Sequence, residues 1–349
     1  MSGTSISLGG FSIGASALLI TAGILACFLM SLLLYGKRNH CVYPVVIFAP
    51  IAFLFAVLFA RLTHWYFNSE SYASFASAFL EFDVGSFTIP GMLLGVWLGA
   101  LLTEKLGACE DRWAILDAAA PGLLFLLACI RFSAWFNSSC RGRINVDIGI
   151  FKILPFAIAS TDNAGNVTYK FATFFMEGVL LLVLFVVACV FWKNHIRDKM
   201  YAPCSRSGNV ARMALIVYGA LEVIMDSTRF DSPLMRFKFI SYLNQYSAFI
   251  SFAQVFSAIT MLLVLIYYSA RGIKARGFRW YYPLIWAGFL GGVFMVGFLG
   301  EYKVQRYAAY LQCYSFMLVG LILMVVMIYL AYRRCVRRSI AYGSSRERD

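Results

Sequence analysis

Residues 179–192 read VLLLVLFVVACVFW, a run of apolar side chains that no charged residue interrupts. A strand of a membrane barrel alternates between lipid-facing and lumen-facing residues, so a continuous run of this kind indicates a helix. The whole chain has the same character, because 61% of its residues are hydrophobic and 13% are charged. Soluble domains are about 45–50% apolar and about 25% charged. The sequence therefore predicts an all-α polytopic integral membrane protein that is surrounded by the lipid bilayer.

Several further segments are apolar enough to cross a bilayer core of about 30 Å, which takes about 20 helical residues. No lysine or arginine precedes Lys37, so we expect the first segment to remain as a helix rather than to be cleaved as a signal peptide. The third and the sixth segments are the shortest. We therefore expect about nine transmembrane helices, at roughly 11–34, 43–63, 88–104, 114–136, 171–192, 209–226, 245–269, 280–299 and 308–332.

Basic residues are divided unequally between the two sides of these segments. If the N-terminus lies outside, 19 of the 30 lysine and arginine residues fall on the cytoplasmic side, together with 7 of the 17 acidic residues. Cytoplasmic loops of membrane proteins carry this kind of positive excess. The sequence thus predicts an outer N-terminus and a cytoplasmic C-terminus. Because the basic residues stand beside helix ends, they indicate anchoring to anionic headgroups rather than binding of nucleic acid.

Two connections on the outer side are longer than the others. Residues 67–87 are rich in aromatic side chains, which suits a segment at the membrane interface. Residues 137–170 have the composition of a small outer head between the fourth and fifth helices. The last two helices look like an addition to the first seven. We therefore expect a seven-helix membrane domain over 1–269, followed over 270–349 by two additional helices and a basic cytoplasmic tail.

Ionisable side chains within or beside a membrane span are costly, and they indicate functional sites. Arg61 and His64 share a helix face at the outer end of the second segment, where both could also extend to the headgroups. Arg131 lies within or near the apolar stretch 123–130, and a guanidinium binds phosphate in a forked geometry. Simple anchoring is the alternative. We expect an anionic lipid headgroup as the ligand of these arginines.

Acidic residues occupy the outer halves of two later segments. Glu177 stands one turn inside the fifth segment, where it could balance an arginine or accept a proton. Glu222, Asp226 and Arg229 follow one another at helical spacing in the sixth. That stripe is either part of a site or a helix face that neutralises itself, with Asp226 paired to Arg229.

Signals of soluble enzymes do not occur in the sequence. The nine cysteines form no CxxC pair, no histidine–cysteine spacing of a metal site occurs, and no glycine-rich phosphate loop is present. We therefore expect neither a metal nor another cofactor. Gly91, Gly95 and Gly99 stand four residues apart, a spacing that favours close packing of helices in lipid.

Short motifs occur in order along the chain. They are Ala60-Arg-Leu62 before Trp65-Tyr-Phe-Asn68, GSFTIPGMLLG at 85–95, LDAAAPG at 116–122, RFSAWFNSSCRGR at 131–143, Thr173 with Glu177, and Asp226 with Arg229. Over about residues 11–268 their order and spacing resemble the prolipoprotein diacylglyceryl transferase family of bacterial inner membranes. That family usually has seven helices, so the last two helices of this chain lie outside the resemblance.

The chain departs from the family pattern at several positions. Pro90 replaces a histidine or tyrosine that has been proposed to act in catalysis, and Ala134 replaces the second asparagine of the arginine signature. Three other departures are Ile13 for a tyrosine, Ser139 for a glutamate and Glu222 for an arginine. The candidate phosphate-binding arginines match the family better than the candidate proton-handling groups.

The resemblance implies an enzyme of the cytoplasmic membrane. It would transfer a diacylglyceryl group from phosphatidylglycerol to the lipobox cysteine of a membrane-tethered prolipoprotein, at the outer face. The implied catalytic residues are Arg131, Arg229, His64 and Glu177, and the implied substrate-binding residues are Arg61, Asn137, Gly142, Arg143 and Asp226. The departures leave an alternative, a catalytically altered relative that binds or moves an anionic phospholipid. A transporter of another substrate fits less well, because the ionisable residues cluster outward and not at the midplane.

Overall fold

The computed structural model divides into two compact units. The first unit comprises Met1–Val190 with Thr228–Met235, and the second comprises Phe191–Ser227 with Arg236–Asp349. The residues that the structure describes are 5–8, 11–69, 72–80, 87–137, 142, 144–146, 149–153, 156–161, 167–201, 207–229, 251–306 and 310–336.

The first unit is built mainly from helices that the apolar segments form. They are α1 (Ala15–Asn39), α2 (Tyr43–Phe67), the short α3 (Ser77–Leu80), α4 (Ile89–Lys105), α5 (Arg112–Asn137) and the first part of α6 (Thr173–Tyr201). His40 turns the chain between α1 and α2 in a left-handed conformation with φ 53°, and its N–H donates to the Gly36 carbonyl at 2.9 Å. Pro44 is the second residue of α2, where a backbone N–H would have no partner within the helix.

Two helix pairs in this unit pack through small residues. The α2–α4 pair approaches closely at Gly91, Gly95 and Gly99, which face the α2 backbone at Phe59, Phe55 and Ala52. This contact confirms the packing that the glycine spacing predicts. In the α1–α5 pair, Gly23 lies against Cys129. Small residues let the helix backbones approach closely. Van der Waals packing of this kind stabilises helix pairs in lipid, where the hydrophobic effect does not drive helices together.

The close approach of α4 to α2 predicts a cost for a single methyl group at position 95. A Cβ atom there would lie 2.7 Å from Cα of Ala56, and the obstacle is backbone that cannot turn aside. We expect Gly95→Ala to destabilise the protein by about 2 kcal/mol, measured by thermal unfolding in detergent. Gly291→Ala is the matched control, because a Cβ atom at Gly291 meets nothing within 4 Å. Equal unfolding temperatures for the two variants would contradict this packing.

Ion pairs join the same helices near the predicted cytoplasmic side. Arg38 in the last turn of α1 donates to the fully buried carboxylate of Asp117 in α5 at 3.5 Å. Arg112 pairs at 2.6 Å with Glu104 of α4, but both of those side chains are 30% exposed. The buried pair explains how α5 carries an aspartate in its LDAAAPG motif, and the exposed pair contributes little to stability.

Two small antiparallel hairpins supplement the helices. Strands β1 (Ser5–Leu8) and β2 (Phe11–Gly14) precede α1, so the first helix begins at residue 15 and not at the predicted residue 11. Alternating residues around a Gly-Gly pair favour a hairpin there. Strands β3 (Ala157–Thr161) and β4 (Val167–Phe171) form a hairpin within the predicted outer head. The chain is therefore mostly helical rather than wholly so.

The second unit continues from α6 through α7 (Asn209–Thr228), α8 (Phe252–Arg276), α9 (Tyr281–Phe294), a π-helical segment (Met295–Tyr302), α10 (Lys303–Arg306) and α11 (Tyr310–Val336). A capping box starts α8, because Ser251 and Gln254 each accept from the other's backbone N–H. The core of this unit joins α7 and α8 to the later helices through apolar side chains. Its members include Ile216, Met261, Leu265, Phe289, Met324 and Ile328.

Among the described residues, seven helical stretches are long and apolar enough to span a membrane. They are Ala15–Asn39, Tyr43–Phe67, Arg112–Phe136, Thr173–Asn194, Phe252–Lys274, Tyr281–Tyr302 and Tyr310–Cys335. This finding confirms the prediction of a multi-pass helical membrane protein. The other two predicted segments also form helices, but α4 has only 17 residues and α7 carries Arg212, Glu222 and Asp226.

Candidate functional site

Glu177 of α6 binds two arginines in the first unit. Nε of Arg131 donates to Oε1 of Glu177 at 2.5 Å, and Nη2 of Arg229 donates to Oε2 at 2.5 Å. The Glu177 side chain is fully buried, and each arginine side chain is 8% exposed. Two guanidinium groups from distant parts of the sequence thus converge on one carboxylate, and we call these three residues the Arg–Glu–Arg cluster.

The α5–α6 contact places Arg131 beside Glu177. Gly178 follows Glu177 and lies against the Phe132 ring, where a Cβ atom would come within 2.7 Å of a ring carbon. The Phe132 ring also meets the Phe175 ring edge-on, with 5.4 Å between centroids. Because the residues next to both charged groups are packed in this way, the guanidinium and the carboxylate have little freedom to separate.

Arg229 is held by its backbone as well as by its side chain. It lies just beyond the end of α7 and forms an antiparallel bridge with Gly142. Gly142 donates in turn to the Phe171 carbonyl at 2.8 Å, and a Cβ atom at Gly142 would lie 2.7 Å from Cβ of Phe171. The adjacent hydroxyl groups of Thr173 and Thr228 are 3.2 Å apart. The start of α6, the end of α7 and Arg229 are therefore tied together one helical turn before Glu177.

The geometry gives Arg229 a partner on another helix. The sequence allowed a helical pair between Asp226 and Arg229, and the structure shows that the Arg229 guanidinium donates to Glu177 of α6. Gly142 acts in the structure as a backbone support, since no side chain would fit there. The glycine of the arginine signature indicates in the sequence that the backbone at position 142 has no room for a side chain. The sequence does not indicate which part of the chain the Gly142 backbone contacts.

The Arg–Glu–Arg cluster brings two positive groups and one negative group together in a buried setting, where electrostatic attraction is stronger than in water. Guanidinium groups have five N–H donors each and match the oxygens of phosphate and carboxylate. The cluster can therefore attract an anionic group such as a phosphodiester or a departing phosphate monoester.

A second group of side chains surrounds Arg61 near the C-terminal end of α2. Arg61 is 1% exposed, and its guanidinium carbon lies 5.3 Å from the centre of the Phe87 ring and 5.9 Å from that of Tyr72. Nδ1 of His64 is 2.8 Å from the Tyr72 hydroxyl. The Arg61 side chain is therefore covered by other parts of the protein. Tyr72 and Phe87 were not predicted as individual site residues, although the sequence shows that residues 67–87 are rich in aromatic side chains.

A sequence model of the prolipoprotein diacylglyceryl transferases matches residues 4–270. The chain belongs to this family. A phosphatidylglycerol–prolipoprotein diacylglyceryl transferase of Gloeobacter violaceus is 30% identical over 247 residues, which is 62% of this chain and 89% of that protein. The enzyme of the same name from Streptococcus pneumoniae serotype 4 is 24% identical over 238 residues, which is 67% of this chain and 84% of that protein.

The described departures from the transferase pattern are accommodated by packing. Pro90 is buried in the first turn of α4, a position that tolerates proline. Ala134 is buried with Ala172 and Phe174, so an apolar contact occupies the place of a polar side chain. Ile13 lies in β2, while Ser139 lies outside the described residues. Pro90 and Ala134 are therefore both buried within the protein.

The remaining predicted site residues are located as follows. Glu222 in the second unit accepts a hydrogen bond from the Tyr218 hydroxyl at 3.0 Å, and Asp226 is buried in the same helix. Asn137 ends α5, but its side chain, like the whole of Arg143, lies outside the described residues. Among the described residues, no group of three or more His, Cys, Asp or Glu residues could hold a metal ion.

Proposed function

We propose that this protein transfers the diacylglyceryl group of phosphatidylglycerol to the lipobox cysteine of a prolipoprotein at the outer face of the cytoplasmic membrane. The cysteine thiolate attacks the glyceryl carbon next to the phosphate, a carbon–sulfur bond forms, and the carbon–oxygen bond breaks. Glycerol phosphate leaves with the electron pair of that bond, and the thiol proton passes to a base. The family membership and the names of the relatives support this reaction.

The observation that carries the proposal is the convergence of Arg131 and Arg229 on Glu177. The departing glycerol phosphate gains negative charge during the reaction, and fixed donors that are aimed at such charge are the largest contributors to many enzymatic rates. Glu177 keeps the two arginines together. Arg131 and Arg229 would therefore bind the phosphate and stabilise it as it leaves, with Gly142 supporting Arg229 and with Asn137 and Arg143 nearby in sequence.

The same reaction needs a group that accepts the thiol proton, because the thiolate is the nucleophile. Both oxygens of Glu177 already accept from guanidinium groups, so its best use is to orient the arginines. His64 is the stronger candidate for the base. Its ring is held by Tyr72 and lies one helical turn from Arg61, which would help to bind the lipid phosphate. Asp226 remains a proposed contributor to substrate binding.

We also propose nine crossings with an outer N-terminus and a cytoplasmic C-terminus. The α4 helix runs along α2 from Thr88, which donates to the Ala60 carbonyl at 3.2 Å, to Gly99 beside Ala52. A helix of 17 residues extends about 25 Å and nearly matches the bilayer core. Counting α7 as well gives nine. The end of the family match at residue 270 supports a transferase domain over 1–269 followed by two added helices.

This orientation predicts which cysteines react with reagents from outside. The first variant keeps only the exposed Cys41, between α1 and α2. A membrane-impermeant maleimide should react with this cysteine only after the cells are permeabilised. A chain whose only cysteine comes from Ser74→Cys, in the exposed connection before α4, should label in intact cells. Labelling of Cys41 in intact cells would contradict the orientation.

A second cysteine on the cytoplasmic side adds a pH dependence. Burial raises the pKa of the Cys109 thiol, so at neutral pH less of it is the reactive thiolate. In permeabilised cells, Cys109 alone should label more slowly than Cys41 alone, and its labelling should accelerate as the pH rises toward the raised pKa.

Complementation tests the proposed function. A bacterial strain depleted of its own transferase should recover lipoprotein modification when it expresses this chain, detected by incorporation of labelled acyl chains. The alternative function rests on the polar groups lost at Pro90 and Ala134. Binding of phosphatidylglycerol vesicles without any complementation would favour that alternative, a relative that binds or moves an anionic phospholipid.

A further inference from the structure

The two added helices contact the outer end of α7 within the second unit. Val223 of α7 packs with Met317 and Leu321 of α11, and Val296 of the π-helical segment packs against the same cluster. Two turns earlier in α7, Ile216 packs in the same buried apolar cluster as Phe289 and Met324. The added helices begin beyond residue 270, where the match to the transferase family ends. The added helices therefore pack along α7 from Ile216 to Val223.

One polar contact lies beyond this packing, at the end of α7. The hydroxyl of Tyr314, in the second turn of α11, donates to the Ser227 carbonyl at 3.1 Å. Ser227 lies in the last turn of α7, whose final four carbonyls have no partner within the helix. Tyr314 thus satisfies one of these groups from another helix, and it does so at the point where α7 ends.

The two residues that follow Ser227 both contact residues of the candidate site. Thr228 contacts Thr173 through its hydroxyl, and Arg229 donates to Glu177. A turn of helix that frays changes the direction in which the next residues leave it. The position of the Arg229 backbone therefore depends on whether the last turn of α7 keeps its helical form.

We infer that the added helices support the transferase site by fixing the end of α7, and that Tyr314 is a positioning residue for Arg229. This inference rests on the proposed function, because it gives Arg229 its part in holding the phosphate. Tyr314 touches neither substrate nor reacting atoms in this scheme. Tyr314 acts on Arg229 through the Ser227 carbonyl and the two peptide units that connect Ser227 to Arg229.

Tyr314→Phe tests the inference, because it removes the hydroxyl and keeps the ring. In the full chain, in vesicles that contain phosphatidylglycerol, we expect kcat for transfer to a lipobox peptide to fall about five- to tenfold, as one lost hydrogen bond would give. Tyr329→Phe is the matched control, since Tyr329 lies in the same helix, is 44% exposed and should leave the rate unchanged. An unchanged rate in Tyr314→Phe would overturn the inference.

A double-mutant cycle separates positioning from general damage to the fold. If Tyr314 acts through Arg229, then Tyr314→Phe should cost less in an Arg229→Lys background than in the wild type. If Tyr314→Phe lowers the rate by the same factor in both backgrounds, Tyr314 only stabilises the fold. That result would overturn the inference.

Hydrogen exchange gives a readout that does not depend on activity. The peptide over 222–229 should exchange faster in Tyr314→Phe and not in Tyr329→Phe. If the wild type fails to transfer but this difference is present, the proposed function fails while the support of α7 by Tyr314 stands. If the wild type is active and exchange is unchanged, the support fails and the proposed function stands.

Discussion

Arg131→Ala should lower diacylglyceryl transfer by at least about 100-fold, and Arg229→Ala should do the same, because each change removes a fixed donor aimed at the departing phosphate. Both guanidinium groups are held at 2.5 Å from Glu177, so neither can move to replace the other. The measurement is lipoprotein modification in a strain depleted of its own transferase, with the amount of each variant in the membrane checked by immunoblot.

Arg112→Ala is the matched control for this pair of variants. Arg112 lies in α5 like Arg131, but its ion pair with Glu104 is partly exposed. Exposed pairs contribute about 0–1 kcal/mol, so we expect Arg112→Ala to keep full activity. Full activity in both Arg131→Ala and Arg229→Ala would remove the proposed phosphate site, whatever the control shows.

Glu177→Gln should have the second large effect, this time on stability. The change leaves two buried guanidinium groups without the carboxylate that they share, and breaking one partner of a buried pair costs about 3–5 kcal/mol. We expect a clearly lower unfolding temperature in detergent, together with loss of transfer. Glu104→Gln, at the partly exposed pair, should change the unfolding temperature very little.

An apolar replacement of the whole Arg–Glu–Arg cluster separates its two effects. Buried ion pairs can often be exchanged for apolar residues of similar volume with no loss of stability. The triple variant Arg131→Met, Glu177→Leu and Arg229→Met should therefore unfold at a higher temperature than Glu177→Gln and yet remain inactive. Transfer activity in the triple variant would show that the cluster is structural only.

Much of the fold follows from the spacing of apolar residues, because a helix in lipid must be long, apolar and internally hydrogen-bonded. All nine predicted segments contain helices in the structure. The glycines at 91, 95 and 99 likewise predicted close packing, and the structure shows where it occurs. The N-terminal hairpin was not predicted, because the first helix was expected from residue 11, whereas Phe11–Gly14 pair with Ser5–Leu8.

The candidate site was predictable in its members but not in its pairing. Arg131, Glu177 and Arg229 each stand out because ionisable groups are costly near a membrane core. Their meeting depends on the path of the chain between α5 and α6 and on the bridge from Gly142 to Arg229, contacts with long sequence separation. Helical spacing registers only neighbours within a helix, so it suggested Asp226 beside Arg229 and gave no indication of Glu177 on α6.

The most direct test of the account uses the purified protein and phosphatidylglycerol labelled in its diacylglyceryl group. Incubation with a lipobox peptide should move the label to the peptide thiol and release glycerol phosphate in equal amount. Replacing Arg131 by alanine should stop both. Equal transfer by the wild type and by Arg131→Ala, or binding of the lipid by the wild type with no labelled peptide, would contradict a phosphate-holding transferase site at Arg131, Glu177 and Arg229.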